Sequence, residues 1–180
     1  MDRRVVVTGI GAVTPLGIGA DETWEGMREG RSGITEITLF DASAFDSRIA
    51  GEVKDFDPSA WMSPRDARHS DRFVQLAVAA AKMALEDSGL EIEGDGSERV
   101  GVLIGSGIGG THTWEAQHRV LLEKGPNRIS PFFIPMLIMD MASGRVAMEF
   151  GARGPNYGIA SACATSAHAI GEALKTIQRG

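Results

Sequence analysis

The stretch from Tyr157 to Lys175, "YGIASACATSAHAIGEALK", changes character at its middle. Short apolar residues come first, as in a buried strand, whereas the residues after Cys163 carry apolar side chains at helical spacing. The sequence therefore predicts a strand, a tight turn and a helix, with Cys163 at the start of the helix. A strand that leads directly into a helix is the repeating unit of α/β folds.

Two similar apolar stretches lie closer to the N-terminus. "RRVVVTG" at residues 3–9 and "RVGVLIGSG" at residues 99–107 are β-branched runs that end in glycine, so we expect buried strands. Helices are predicted between them, with Asp21 and Asp71 as N-caps; the helical ranges are 21–30, 71–88, 111–125 and 136–150. Alternation of this kind predicts an α/β fold, with a mostly parallel sheet and helices on both faces.

Residues 31–61 do not follow this alternation. Turn-forming residues occur throughout, with one candidate strand at "SRIAGEV", so we expect an irregular excursion over the surface. "NRISPFFIP" at 127–135 contains two prolines and is also expected to be irregular. The chain stops at Gly180 after a helix, where an α/β fold would next supply a strand. On this pattern alone the chain looks interrupted.

The composition excludes several classes of protein. A net charge of −6 argues against non-specific nucleic-acid binding, and no apolar run is long enough to span a membrane. Gly9, Gly11 and Pro15 interrupt the apolar N-terminus, which argues against a secretory signal. The single cysteine cannot form an internal disulfide, which favours a reducing compartment such as the cytoplasm.

The segment "IGSGIGG" raises the possibility of a dinucleotide site. Gly105, Gly107 and Gly110 match the pattern G-x-G-x-x-G between a strand and a helix. The acidic residue expected about 20 residues later, at the end of a second strand, has no counterpart here. We therefore favour a tight strand-to-helix turn that leaves Ile108 exposed to whatever fills the adjacent space.

The basic and histidine residues give weaker signals. The spacing of the four histidines predicts no metal site, and His168 lies about 140° around the helix from Cys163, so it points away from the sulfur. Arg65, Arg68 and Arg72 fall on one helical face if that segment is helical throughout. Two interpretations of this stripe remain open, a solvated face and a docking site for an acidic partner.

Cys163 is the strongest candidate for chemistry. The unpaired N–H groups at a helix N-terminus stabilise a thiolate, and small neighbours leave room for a substrate carbonyl beside the sulfur. The opposite interpretation, in which Cys163 is a small buried hydrophobic residue, remains open on this reasoning.

Five stretches, in order and spacing, resemble the N-terminal half of the type II β-ketoacyl-acyl-carrier-protein synthases, the condensing enzymes of bacterial fatty-acid synthesis. The stretches are "RRVVVTGIG", "IGSGIGG", "RISPFFIP", "RGPN" and "SACATSAHAIGEA". The resemblance runs from Arg3 to the last residue, and it implies that residues 1–180 are the N-terminal half of such a domain, ending before that half is complete. It implies a thiolase-like layered fold, in which two similar halves of one chain pack together. It also implies that the complete enzyme is a homodimer and uses no metal or cofactor.

The resemblance also implies roles for individual residues. Cys163 would take the acyl chain from acyl carrier protein as a thioester, and its N–H would be one oxyanion donor. The carbanion formed by decarboxylation of malonyl-carrier protein would then attack that thioester. Ile108 would line and gate the acyl tunnel, and Phe133 would reach into the tunnel of the partner.

The carrier-docking residues implied by the resemblance are Arg65, Arg68 and His69. His69 stands where lysine or arginine is commoner, which implies a weaker contact at neutral pH. The catalytic histidines and lysine of the family lie in the C-terminal half, so we expect this chain alone to be inactive in condensation. Two alternatives stay open, a non-catalytic binding or dimerisation module and a fragment of a polyketide-type ketosynthase.

Overall fold

The computed structural model describes residues 3–180. Within them the strands are β1 (Val13–Thr14), β2 (Gly17–Ile18), β3 (Thr35–Glu36), β4 (Ile49–Ala50), β5 (Val102–Gly105) and β6 (Asn156–Ile159). The α-helices are α1 (Ala20–Arg28), α2 (Pro64–Arg68), α3 (Arg72–Ser88), α4 (Thr111–Lys124), α5 (Phe133–Leu137), α6 (Met141–Phe150) and α7 (Thr165–Arg179). None of these helices has both the length and the apolar character needed to cross a membrane.

The parallel pair β5 and β6 organises the structure, as the two apolar stretches predicted. Val102 pairs with Asn156 at one end of the ladder and Gly105 pairs with Ile159 at the other. The ladder continues beyond β5, where the Ser106 N–H donates to the Ile159 carbonyl at 3.1 Å. Both strands therefore end at the same edge of the sheet.

Helices cover both faces of this pair. On one face α3 and α6 bury Val74, Val78 and Val146 together with Val102 and Ile104 of β5. Side chains alternate along a strand, so Gly105 belongs to the opposite face. There it lies against α7, where a Cβ on Gly105 would stand 2.3 Å from Cγ2 of Thr165. Only glycine lets the helix approach the strand this closely.

Helix α3 has the ends that the sequence predicts. Asp71 occupies the N-cap position, and Gly89 ends the helix in a left-handed conformation with φ of 63°. The side chain of Asp71 does not cap its own helix, however. It accepts hydrogen bonds from the N–H and hydroxyl of Thr113 at 2.8 and 2.6 Å, and so caps the first turn of α4 instead.

The strand predicted at residues 3–9 is not formed. This segment crosses α3, where a Cβ on Gly9 would lie 2.2 Å from the Ala84 carbonyl oxygen. Val6 and Val7 are 62% and 80% exposed, and a cavity of about 380 Å³ that Thr8 helps to line separates the segment from β5. A strand needs a partner strand for its backbone hydrogen bonds, and no strand within residues 3–180 pairs with this segment.

Three helix predictions also need correction. Helix α1 begins after Gly19 rather than at Asp21. The helix predicted over 136–150 is two helices, α5 and α6, because Ile138 is extended with ψ of 138°. The start of α5 at Phe133 lies inside the segment expected to be irregular.

The excursion at residues 31–61 is held by one buried carboxylate. Glu52 is 8% exposed and accepts hydrogen bonds from the Thr38 N–H, the Thr38 hydroxyl at 2.7 Å and the Leu39 N–H. β3 and β4 pair antiparallel across the same loop, which confirms the candidate strand in "SRIAGEV". These hydrogen bonds, that of the Thr38 hydroxyl above all, hold the pKa of Glu52 below its ordinary value.

This depressed pKa predicts an acid-sensitive contribution to stability. The unfolded chain binds a proton at Glu52 more readily than the folded chain, so the contribution is fully present above the unfolded pKa and is lost as the pH falls through the folded value. We expect Glu52→Gln to lower the unfolding temperature at pH 7 and to flatten its dependence on pH in the acid range. Glu36→Gln, at an exposed position of β3, is the matched control; equal effects of the two variants would contradict the prediction.

Candidate active site

The turn between β6 and α7 presents Cys163. After β6 the chain forms a single 3-10 turn, Ala162–Ala164, before α7 begins at Thr165. Ala162 has φ of +50°, a conformation that residues with a side chain rarely adopt. A strained backbone of this kind persists only where its surroundings hold it, and such positions cluster at functional sites.

Two hydrogen bonds join the start of this turn to α7. The Ser161 N–H donates to Oγ1 of Thr165 at 2.8 Å, and Oγ of Ser161 lies 2.6 Å from Nδ1 of His168. Thr165 is only 4% exposed. Ser161, two residues after β6, is thereby tied to the first turn of α7, and Cys163 lies in the turn between these contacts.

Cys163 has an exposed thiol, which argues against the interpretation as a buried hydrophobic residue and leaves its role as a nucleophile a prediction. It is not a buried packing residue in this structure. The prediction that His168 points away is consistent with its contact to Ser161. In residues 3–180 no cluster of histidine, cysteine or carboxylate side chains has the geometry of a metal site.

The glycine-rich loop after β5 is a tight strand-to-helix turn. The Gly109 N–H donates to Oγ of Ser106 at 3.0 Å, and Gly109 has φ of +86°. The Gly110 N–H donates to the Leu137 carbonyl at 2.8 Å. The carboxylate of Asp71 already occupies the N-terminus of α4, and this negative charge disfavours a dinucleotide phosphate there.

The two loops meet at one edge of the sheet. Because β5 and β6 are parallel and adjacent, the loop that carries Ile108 and the turn that carries Cys163 both follow carboxyl ends of strands. This is the edge where open α/β sheets bind ligands. The structure therefore places the loop with Ile108 and the turn with Cys163 at the same edge of the sheet.

An apolar cavity of about 470 Å³ opens beside Ile108, which is 74% exposed as predicted. Its other walls are Thr111, Trp114, Leu137, Ile138, Met139 and Asp140. Phe133 is half-buried behind one wall, with its ring edge-on to Trp114 at 6.4 Å between centroids. The space suits a flexible apolar group.

The predicted basic stripe is only partly present. Arg65 and Arg68 are exposed on α2, and His69 follows at the end of that helix. The expectation that Arg72 shares this face is wrong, because α2 ends at Arg68 and Arg72 begins α3. Its guanidinium donates to the Val53 carbonyl at 2.7 Å and lies over a phenylalanine ring, so it holds the excursion in place.

Several contacts at the site could not be located from the sequence. The hydrogen bond from the Ser161 N–H to Thr165 joins two residues of the motif around Cys163. The sequence does not show that the backbone brings these two residues into contact. The contact between Asp71 and Thr113 spans 42 residues of sequence. A threonine two residues after Cys163 is the one local signal, since threonine is favoured near helix N-termini.

Comparison with known proteins identifies relatives along almost the whole chain. The family model for the N-terminal domain of β-ketoacyl synthases matches residues 2–180. A 3-oxoacyl-(acyl-carrier-protein) synthase 2 from Vibrio harveyi is 50% identical over 178 residues, which are 99% of this chain and 43% of that protein. The chain thus spans less than half the length of this relative.

Solved structures agree with the family match. A ketosynthase/chain length factor of ishigamide synthesis superposes with a TM-score of 0.86 and 32% identity, over all of this chain and 45% of its own. A type II polyketide ketosynthase, solved in complex with its acyl-carrier protein, gives 0.86 and 25% identity over 49% of its chain. These superpositions confirm the expected α/β fold of thiolase type.

The exposure of Cys163 predicts its reactivity. We expect iodoacetamide to alkylate this cysteine in the folded protein without denaturant, as read by mass spectrometry of the peptide that contains it. Thr165→Val, which removes the acceptor for the Ser161 N–H, should slow alkylation by loosening the turn, whereas Thr165→Ser keeps the hydroxyl and the rate. Alkylation that requires denaturant would contradict the observed exposure.

Proposed function

Since the chain belongs to the β-ketoacyl synthase family, we propose that it supplies the nucleophilic half of a condensing enzyme that elongates acyl chains held on a carrier protein. Cys163 attacks the acyl-carrier thioester: a bond forms between Sγ and the acyl carbon, and the carrier leaves as a thiol. A malonyl-carrier protein then loses CO₂, and the resulting carbanion attacks the acyl carbon of acyl-Cys163: a carbon–carbon bond forms, the C–S bond breaks, and Cys163 leaves as a thiolate.

The observation that carries this proposal is the turn at Cys163. An exposed thiol on a strained turn, directly ahead of α7, is open to an acyl carbonyl. The Cys163 N–H is one donor for the oxyanion that develops during attack. No histidine in residues 3–180 hydrogen-bonds this thiol, so the decarboxylation step depends on residues outside this part of the chain.

We assign the acyl chain to the apolar cavity beside Ile108. An exposed isoleucine on a tight loop, facing Trp114 and Leu137, offers apolar surface to a methylene chain. Thr111 and Asp140 are the polar residues of the lining. Ile108 is β-branched and stiff, and it acts as the gate to this cavity. Phe133 lies behind the wall and extends toward the partner chain in a homodimer.

The docking partner is an acidic carrier protein. Arg65, Arg68 and His69 form the basic end of α2 in a chain whose net charge is −6, so they provide a local attraction for an acidic surface. The ketosynthase solved with its acyl-carrier protein has the same fold as this chain. We expect a carrier docked at α2 to deliver its acyl group to Cys163 at the carboxyl edge of the sheet.

A second candidate function is polyketide chain extension. It is favoured by the superposition on ketosynthases of polyketide type, at TM-scores of 0.86. The chemistry at Cys163 is the same in both functions, and the difference lies in the acyl substrate. The higher identity to a 3-oxoacyl-carrier synthase makes the fatty-acid substrate the first choice.

The proposal is tested by acyl transfer and turnover in the full-length protein. We expect octanoyl-carrier protein to add one octanoyl group to Cys163 and malonyl-carrier protein to convert it to the β-keto product. Cys163→Ala should abolish the acyl adduct. Absence of the adduct in the wild-type protein would overturn the proposal, and an adduct formed only with β-ketoacyl substrates would favour the polyketide function.

Charge reversal tests the docking surface. Arg65→Glu with Arg68→Glu should raise KM for the carrier substrate, and the salt dependence of KM should weaken because exposed attraction is screened over about 8–10 Å. Small thioesters that lack the carrier should acylate Cys163 at an unchanged rate. Arg99→Glu with Arg153→Glu makes the same charge change near the amino ends of β5 and β6 and is the matched control. Equal loss with both kinds of substrate would show that α2 has a structural role only.

A further inference from the structure

His69 makes a contact that a docking cation does not need. Its imidazole ring stacks on the ring of Phe132, with 3.9 Å between centroids and 19° between planes. Phe132 is the N-cap of α5, and its carbonyl accepts the hydrogen bond from the Met136 N–H at 3.0 Å. The ring of His69 therefore packs on the residue that immediately precedes α5.

Helix α5 leads directly to the acyl cavity. Its second half supplies Leu137 to the cavity wall, and its first residue, Phe133, packs edge-on against Trp114 of the opposite wall. A shift of Phe132 would move this short helix, because α5 has only five residues and no side-chain cap of its own.

The other wall of the cavity is held from the same segment. Two residues after His69, the buried Asp71 binds the N–H and hydroxyl of Thr113, which is adjacent to Trp114. Asp71 is 5% and Thr113 7% exposed, so this contact is inaccessible to water. Segment 69–71 thus contacts α5 through a ring and α4 through a carboxylate.

We propose that His69 is a positioning residue for the acyl cavity, acting through its stack on Phe132, in addition to its place on the carrier-docking surface. This inference rests on the proposed function, because it assigns the cavity beside Ile108 to the acyl chain. It explains why an aromatic ring suits this position. A lysine would keep a docking charge but has no flat ring to stack on Phe132.

Two substitutions separate the roles of ring and charge. His69→Phe keeps an aromatic ring over Phe132 and removes the charge, whereas His69→Lys keeps a charge and removes the ring. In the full-length protein, we expect His69→Lys to slow acylation of Cys163 by dodecanoyl thioesters about threefold to tenfold, the change expected for loss of an aromatic pair. The loss should appear with small thioesters, which do not depend on carrier docking, and it should be smaller for acetyl than for dodecanoyl transfer.

His69→Phe is expected to show the reverse pattern. Acylation by small dodecanoyl thioesters should match the wild type, and only KM for carrier-bound substrates should rise. If His69→Lys acylates long chains as fast as the wild type, or if both variants lose the same amount, the positioning role is overturned.

Hydrogen exchange provides a readout that does not require activity. Amides of residues 133–138 should exchange faster in His69→Lys and at the wild-type rate in His69→Phe, because the stack restrains the start of α5. Unchanged exchange in both variants would overturn the inference. If exchange is faster in His69→Lys but the wild-type protein takes up no acyl group, the proposed function fails, whereas the restraint of α5 by the stack stands.

Discussion

The parallel register of β5 and β6 is the constraint on which the rest of the structure depends. It sets the end of one strand, Gly105, beside the end of the other, Ile159. The loop that carries Ile108 and the turn that carries Cys163 consequently leave the sheet at one edge. Glycine at position 105 lets Thr165 pack against β5, and the hydroxyl of Thr165 in turn holds the Ser161 N–H at 2.8 Å. One strand pairing thus positions both the turn that carries Cys163 and the loop that carries Ile108.

The thioester chemistry that we propose at this edge depends on two features, the strained backbone at Ala162 and the small side chains beside Cys163. Ala162 is held at φ of +50° by the tie between Ser161 and α7, and the alanines on either side of Cys163 leave the thiol uncovered. Farther out, segment 69–71 contacts both α4 and α5 and so fixes the two walls of the apolar cavity. The surfaces that we propose for carrier docking, acyl binding and thioester formation therefore depend on the same supporting contacts.

The sequence predicts the parts of this account that depend on local pattern. The β-branched run of β5, the periodicity of α3 and the crowd of small residues around Cys163 each carry their own signal. The predictions fail where a residue distant in the sequence determines the local structure. Residues 3–9 have a strand pattern but no partner strand among the described residues, Asp71 caps α4 instead of its own helix, and Arg72 turns to the Val53 carbonyl. The stack of His69 on Phe132 joins positions 63 residues apart, and no periodicity could reveal it.

The central claim is that one edge of the sheet holds both the nucleophile and the acyl chain. A crystal structure of the full-length protein after reaction with a dodecanoyl thioester tests it most directly. The account predicts continuous density from Sγ of Cys163 into the cavity lined by Ile108, Trp114 and Leu137, with the Ile108 side chain displaced. An acyl chain that leaves Cys163 in another direction, or a cysteine that stays unmodified while another residue carries the chain, would contradict it.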